Sequence, residues 1–280
     1  MRPSPYAELP IVIGMPGGFS WYLAERHWEE AARLANGLGG DKAEILKRAR
    51  RRLVFRLSLG ESESGPATVV VKCHRMESLK RAILRYRRYG PQEVGNLLEA
   101  ARRGVPVPRV YGYGQQRSGI LVHDMMIMME DMAPRKTVAE LLAEAGGCIE
   151  RQKEILARAG QLLVRLYETA CNHIDTNCSA LWIDESESAG DRIIDFHYAS
   201  FLNEPRPRCL VSAAARLWQG CRRLVGEELF EGWLEQLSVA AKISGYKEML
   251  SECRELVGRD MKRAELLRTK WGRADKTCPL

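Results

Sequence analysis

Four residues, taken in chain order, have the types and spacing to do chemistry together. They are Lys72 at the end of the apolar run Thr68–Cys73, Glu93 in the helix-compatible stretch that follows, Asp175 in His173-Ile174-Asp175, and Asp195 in Ile194-Asp195-Phe196. Each alone is ordinary: an aspartate in a loop, for example, is usually a turn former. Their order is more specific. A strand-borne lysine, a helix-borne glutamate 21 positions later, a His-x-Asp loop after a helix and an Asp-Phe at a strand end 20 positions beyond that aspartate make a signature set for phosphoryl transfer from a nucleotide. That reaction spreads charge over the transferring oxygens, so a site for it must supply fixed positive charge and in-line geometry.

The elements that must position these residues can be read from periodicity and breakers. Trp28 to Leu38 is helical in pattern and stops at Gly37-Leu38-Gly39-Gly40, where glycine tolerates the left-handed conformation of a helix end. A new unit then starts near Asp41. Ala43–Leu46, Leu53–Leu59 and Thr68–Cys73 show strand-like recurrence, and a basic, helix-compatible segment runs from Ser78 to Arg103. Pro106 and Pro108 favour extended chain, and Arg109–Tyr113 and Ile120–Met129 supply two more strands. About five strands around one helix result. Beyond Glu130 the pattern turns helical: Ile155, Ala159, Leu162, Leu163, Leu166 and Ala170 form one apolar stripe. Short strands follow at Ala180–Ile183 and Arg192–Phe196, and helical segments return from Val211 to Lys270. The expected class is α+β, with residues 1–40 as an N-terminal extension, 41–130 as a sheet-rich nucleotide-binding lobe and 131–280 as a mainly helical lobe.

Bulk composition narrows the setting. With 280 residues and 45% hydrophobic content the chain can bury one or two cores without disulfides. Its eight cysteines include no C-x-x-C pair, which fits a reducing, cytoplasmic location. The apolar run Leu9–Met15 is too short for a signal peptide core before Pro16-Gly17-Gly18, and no stretch approaches a membrane span. A net charge of +7 favours anionic partners without naming one: phosphorylated glycolipid, membrane surface or nucleic acid. Cys171, His173 and Cys178 offer soft ligands at a spacing that suits no common zinc site.

V-V-V-K-C-H-R, then R-Y-G-P-Q-E-V-G-N-L-L-E-A-A-R-R-G-V-P-V-P-R-V, M-M-E-D-M, N-H-I-D-T-N and R-I-I-D-F-H together resemble the lipopolysaccharide kinase family, which phosphorylates Kdo or heptose in the inner core. The resemblance spans about Ala43 to Phe201. It implies a bilobal protein-kinase-like fold, an antiparallel N-lobe sheet with one main helix and a mainly helical C-lobe. It further implies ATP and Mg²⁺, with Lys72 on the phosphates, Glu93 aiming that lysine, Asp195 ligating Mg²⁺, Asp175 as base toward the acceptor hydroxyl, and His173 packing to position the loop. Adenine is expected at the backbone of Glu130 to Met132, where the lobes join. The implied partners are the lipopolysaccharide core or another sugar acceptor and an anionic membrane surface at the inner face, with nucleic acid disfavoured.

The chain departs from the kinase pattern in three places. Five residues after the loop aspartate, where kinases carry a metal-binding asparagine, stands Ala180; Asn177 could reach a metal instead or simply stabilise the loop. The third residue of the Asp-Phe-Gly motif is His197. In place of a glycine-rich phosphate loop before Leu53 there is Lys47-Arg48-Ala49-Arg50-Arg51-Arg52. A small-molecule or protein kinase, a pseudokinase scaffold and a nucleic-acid binder therefore stay open as alternatives.

Overall fold

The computed structural model describes residues 9–60, 68–80, 82–83, 90–186 and 190–258. These fall into two compact units, the first within Met1–Glu99 and Pro108–Met132, the second within Ala100–Val107 and Ala133–Leu280.

The first unit is built on a seven-stranded antiparallel sheet. Its strands are β1 (Ile11–Met15), β2 (Phe19–Leu23), β3 (Ala43–Ala49), β4 (Arg52–Ser58), β5 (Thr68–Arg75), β6 (Val110–Ser118) and β7 (Leu121–Glu130), in spatial order β1-β2-β6-β7-β5-β4-β3. Side chains alternate across it with period two. Val69, Val71 and Cys73 of β5 join Trp21, Leu23, Phe55, Leu57, Met126 and Met128 in one core, capped by Trp28, Ala31, Ala32 and Ala35 of helix α1 (Glu29–Asn36) and the turn before it. Lys72 therefore points to the opposite face, where helix α2 (Pro91–Arg102) supplies Glu93.

The sequence set residues 1–40 apart as an extension. The structure instead gives this stretch β1, β2 and α1, with Trp21 and Leu23 fully buried in the sheet's core. Gly37 to Gly40 looks like a boundary but is only the turn from α1 into β3, with Leu38 and Gly39 at positive φ. Trp21 is seated by Gly114 on β6, where a Cβ would come within 2.5 Å of the indole, and its Nε1 donates to Asn36 Oδ1 at the end of α1 (2.8 Å). The sheet accordingly has two more strands than the five expected. The part of the Ser78–Arg103 reading that covers residues 81 and 84–89 lies outside the described residues, as do 259–270 of the last helical stretch.

The second unit is mainly helical: α3 (Val138–Ala145), α4 (Ile149–Glu168), α5 (Pro207–Cys221), α6 (Glu227–Ala240) and α7 (Tyr246–Gly258). Helix α3 opens with a capping box between Thr137 and Glu140. In α4 the predicted stripe is the buried face, with Ile155, Ala159, Leu162, Leu163 and Leu166 all under 6% exposed. Trp233 of α6 packs there and donates its indole N–H to the Leu156 carbonyl (2.6 Å). Two small sheets complete the unit: β8 (Lys136–Thr137), β10 (Leu181–Ile183) and β11 (Arg192–Ile193), and a pair of β9 (Cys171–Asn172) with β12 (Ser200–Phe201). The strand expected over Arg192–Phe196 ends at Ile193, because Asp195 turns into the left-handed region and starts a 3-10 turn at Phe196.

Candidate active site

In the first unit Lys72 Nζ is in direct contact with Glu93 Oε1, and both side chains are almost completely buried. Two features of the sequence make this pair. Lys72 sits in the middle of the sheet, paired with Val54 of β4 and Ile127 of β7, so its side chain has no route to solvent along the strand. Glu93 lies in the first turn of α2, whose Val94 and Leu97 are buried and seat the helix. Ionised groups leave water only when paired. Glu93 Oε2 is buried with no hydrogen-bond partner among the described residues, which leaves acceptor capacity beside the lysine.

The hairpin where a glycine-rich loop was missing is a tight β3–β4 turn, Arg50-Arg51, with Ala49 opposite Arg52. Arg50 and Arg51 both reach Glu77 Oε2, at 3.4 and 2.9 Å, and Arg50 stays largely exposed. At the other end of the sheet, Glu130 donates its N–H to the Arg109 carbonyl (2.8 Å), so that donor is not open to adenine. Asp131 next to it is held by Arg56 Nε (2.6 Å) and the Thr68 hydroxyl (2.9 Å). Met132 is buried and ends the unit. The Arg56–Asp131–Thr68 network gave no sequence signal, since its members come from three separate segments.

In the second unit the loop after α4 turns at Ala170, with φ 53, and runs through β9 into His173-Ile174-Asp175. His173 Nδ1 accepts the Asp175 N–H (3.3 Å), and its Nε2 lies 2.9 Å from the Ile194 carbonyl, so the ring is a neutral Nε2–H tautomer with both nitrogens engaged. Burial pushes its pKa below the ordinary 6.5, against the smaller opposing pull of that carbonyl and of Asp175 and Asp195. Its ring meets Phe196 edge-on, centroids 4.6 Å apart. The packing role expected of His173 is thus what its contacts describe.

These contacts tie the Asp175 loop to the segment that carries Asp195. A further tie is the Ile194 N–H donating to the Ala180 carbonyl (2.9 Å). Ala180 thus contributes through its backbone while its methyl is buried. Asp195, half-buried, has φ 65 and ψ 45, a region that aspartate tolerates better than most residues. Asn177 closes the loop: its Oδ1 accepts from Ser179 N–H (2.9 Å) and its carbonyl from Ala180 N–H (2.9 Å). The turn before β11 is braced by a buried pair, Arg158 with both oxygens of Asp191, and Asp191 also accepts the Asp184 N–H (2.9 Å).

Asp175 itself is buried at 3% exposure, and Arg216 Nη2 of α5 lies 3.3 Å from its Oδ1. Sequence reasoning missed Arg216. Among the described residues no cluster of three or more His, Cys, Asp or Glu could hold a metal by protein ligands alone.

Comparison with curated protein sequences gives no match. The chain is similar in structure to a solved chain titled "WaaP in complex with acyl carrier protein", at a TM-score of 0.58 and 16% identity, over 89% of this chain and 99% of that one. Residues 68–206, about half of the chain and the stretch containing Lys72, Glu93, Asp175 and Asp195, match the family described as Lipopolysaccharide kinase (Kdo/WaaP). The chain belongs to the lipopolysaccharide kinase (Kdo/WaaP) family.

Proposed function

We propose that this protein transfers the γ-phosphoryl group of ATP to a hydroxyl of a sugar, Kdo or heptose, in the lipopolysaccharide inner core. The observation that carries this reading is the buried Lys72–Glu93 pair, on the family-matched segment that also holds Asp175 and Asp195. A lysine is a flexible point charge, and its partner on α2 fixes where that charge sits. Lys72 would bind the nucleotide phosphates, and Met132, two residues past the end of β7, would offer its backbone to adenine. Asp195, with Asn177, would hold Mg²⁺, which when bound supplies neutralisation of phosphate charge. The donor chemistry fits, since carboxylate and amide oxygens are the ligands a hard cation takes.

Asp175 would accept the acceptor hydroxyl's hydrogen bond, orient the oxygen and take its proton as the new O–P bond forms. The bond to the β-phosphate oxygen breaks, ADP leaves, and the proton passes from Asp175 to solvent. Asp175 is the only carboxylate on its loop, and His173, neutral and engaged at both nitrogens, does not compete for this role.

No helix among the described residues is long and apolar enough to cross a membrane. We place the work at the inner membrane surface, where exposed Lys47, Arg48 and Arg50 would meet anionic lipid. The solved WaaP chain is bound to acyl carrier protein, which makes that carrier a partner to test by co-purification. Ala180, which offers no ligand atom, supports one other reading, a nucleotide-binding module without turnover. The test is incubation with Mg-ATP and dephosphorylated lipopolysaccharide core, followed by mass analysis. An added phosphate that depends on Asp175 supports the kinase; nucleotide binding without transfer to this acceptor, to aminoglycosides or to protein replaces it with the binding module.

A further inference from the structure

The family pattern accounts for Asp175 but not for what surrounds its carboxylate. Helix α5 meets the loop at three successive places. The Thr176 hydroxyl donates to the Ala213 carbonyl (3.3 Å), Arg216 pairs with Asp175, and Cys178 Sγ rests where a Cβ on Gly220 would come within 2.7 Å. Positions 213, 216 and 220 are spaced by three and four, so they form one face of the helix. Thr176 is fully buried and Asp175 nearly so. The loop is therefore laid along a rigid helical rail, and the central contact is the one that touches its carboxylate.

Arg216 is itself held. Its Nη1 donates to Gln219 Oε1 (2.5 Å), one turn along the same helix, and its side chain is only 17% exposed. A guanidinium is planar and always charged, so an arginine fixed in this way defines both the position and the direction of the carboxylate oxygen it holds. A buried carboxylate without such a partner would be free to change rotamer.

We propose that Arg216 is a positioning residue for Asp175: it fixes the carboxylate through Oδ1, so that the base meets the acceptor hydroxyl in one orientation. Arg216 acts through Asp175, the residue its Nη2 contacts. The proposal rests on the kinase reading, because it assigns Arg216 a part in that turnover.

The experiment is a double-mutant cycle in the full-length protein, assayed with Mg-ATP and dephosphorylated core oligosaccharide. Arg216→Ala should lower kcat by about 10²-fold, the order expected when a reacting group is misplaced by about an ångström, while the KM for ATP stays at the wild-type value. Arg216→Lys should recover part of the loss, since the charge returns without the fork. In an Asp175→Asn background, Arg216→Ala should add little, because a residue that acts through another has nothing left to position. If Arg216→Ala does not fold, Arg216→Gln, which keeps bulk and one donor group, takes its place. Wild-type kcat in the arginine variants, or a full multiplicative loss in the Asp175→Asn background, overturns the proposal. If the wild type transfers phosphate to no acceptor and Asp175→Asn changes nothing, the kinase reading fails. The same cycle is then read by thermal unfolding, and coupling seen only there makes the pair structural and overturns the positioning role.

Discussion

Among the buried ion pairs of the described residues, Lys72–Glu93 in the first unit and Arg216–Asp175 in the second involve candidate site residues, and the two are arranged in opposite senses. On the proposed kinase reading, the cation of Lys72–Glu93 is the group with work to do and the carboxylate holds it, while in Arg216–Asp175 the carboxylate works and the cation holds it. The holders differ in kind. Glu93 comes from the helix laid over the lysine's face of the sheet, whereas Arg216 comes from a helix that runs along the whole loop. Phosphate binding needs a charge at a point, which one partner can fix. Proton transfer needs an oxygen with a direction, and that calls for a carboxylate whose loop, backbone and side chain are all anchored.

The largest effect that would break this comparison falls on the working carboxylate. Asp175→Asn nearly preserves shape and should lower turnover by roughly 10²- to 10⁴-fold, the range of a lost general base, with nucleotide affinity retained in a calorimetric titration. Loss of nucleotide binding in this variant would mean that Asp175 serves the phosphates and that the two pairs do not divide the labour. Next is the working cation. Lys72→Ala strands a buried carboxylate, and chemical denaturation should report a loss of about 3 kcal/mol, the scale for removing one member of a buried pair, together with loss of the thermal shift given by Mg-ATP. A stable variant that still binds nucleotide would remove the lysine from the site.

A smaller effect sharpens the account of Ala180. Ala180→Asn places an amide where the methyl is 2% exposed, so melting should show a cost of about 1–3 kcal/mol for an imperfectly paired buried polar group. Turnover should not rise. A large gain would mean that the natural protein lacks a metal ligand it could use, and would favour the binding-module reading.

The smallest effect concerns His173. Its folded pKa is depressed by burial below 6.5, so the unfolded chain binds the extra proton first as pH falls. The stability it contributes is complete above 6.5 and drains away as pH drops from there toward the lower folded value. Melting temperature measured from pH 7.5 down to 5 should fall through this window, and His173→Gln should flatten that part of the curve. An unchanged curve would place the dependence on other groups.

The sequence singles out Lys72, Glu93, Asp175 and Asp195 as candidates because their residue types and order carry a chemical pattern, and the contact of Lys72 with Glu93 is the part of it that the fold brings together directly. It could not show Arg216 or Asp131, since an arginine among 43 basic residues and an aspartate in a linker become distinctive only when folding brings Asp175 or Arg56 beside them. Gly37 to Gly40 misled for a related reason: a left-handed turn between a helix and a strand has the same composition as a linker between units. Phe196 continues an apolar run that resembles a strand, yet the left-handed Asp195 redirects it under His173, and backbone dihedrals of that kind have no periodicity to read.

The seating of β2 against β6 also sets an order of events during synthesis. Trp21 reaches its final place only when Gly114 is made, and the same sheet needs Met126 and Met128 to complete the core over α1. The β1–β2 hairpin and α1 leave the ribosome long before these partners, with two tryptophans and a set of small apolar residues still uncovered. Long-range pairing of this kind is slow to form and leaves sticky surface exposed in the interval. The segment from β1 to α1 must therefore wait for the sheet that it finishes, its apolar side chains uncovered until β6 and β7 are made.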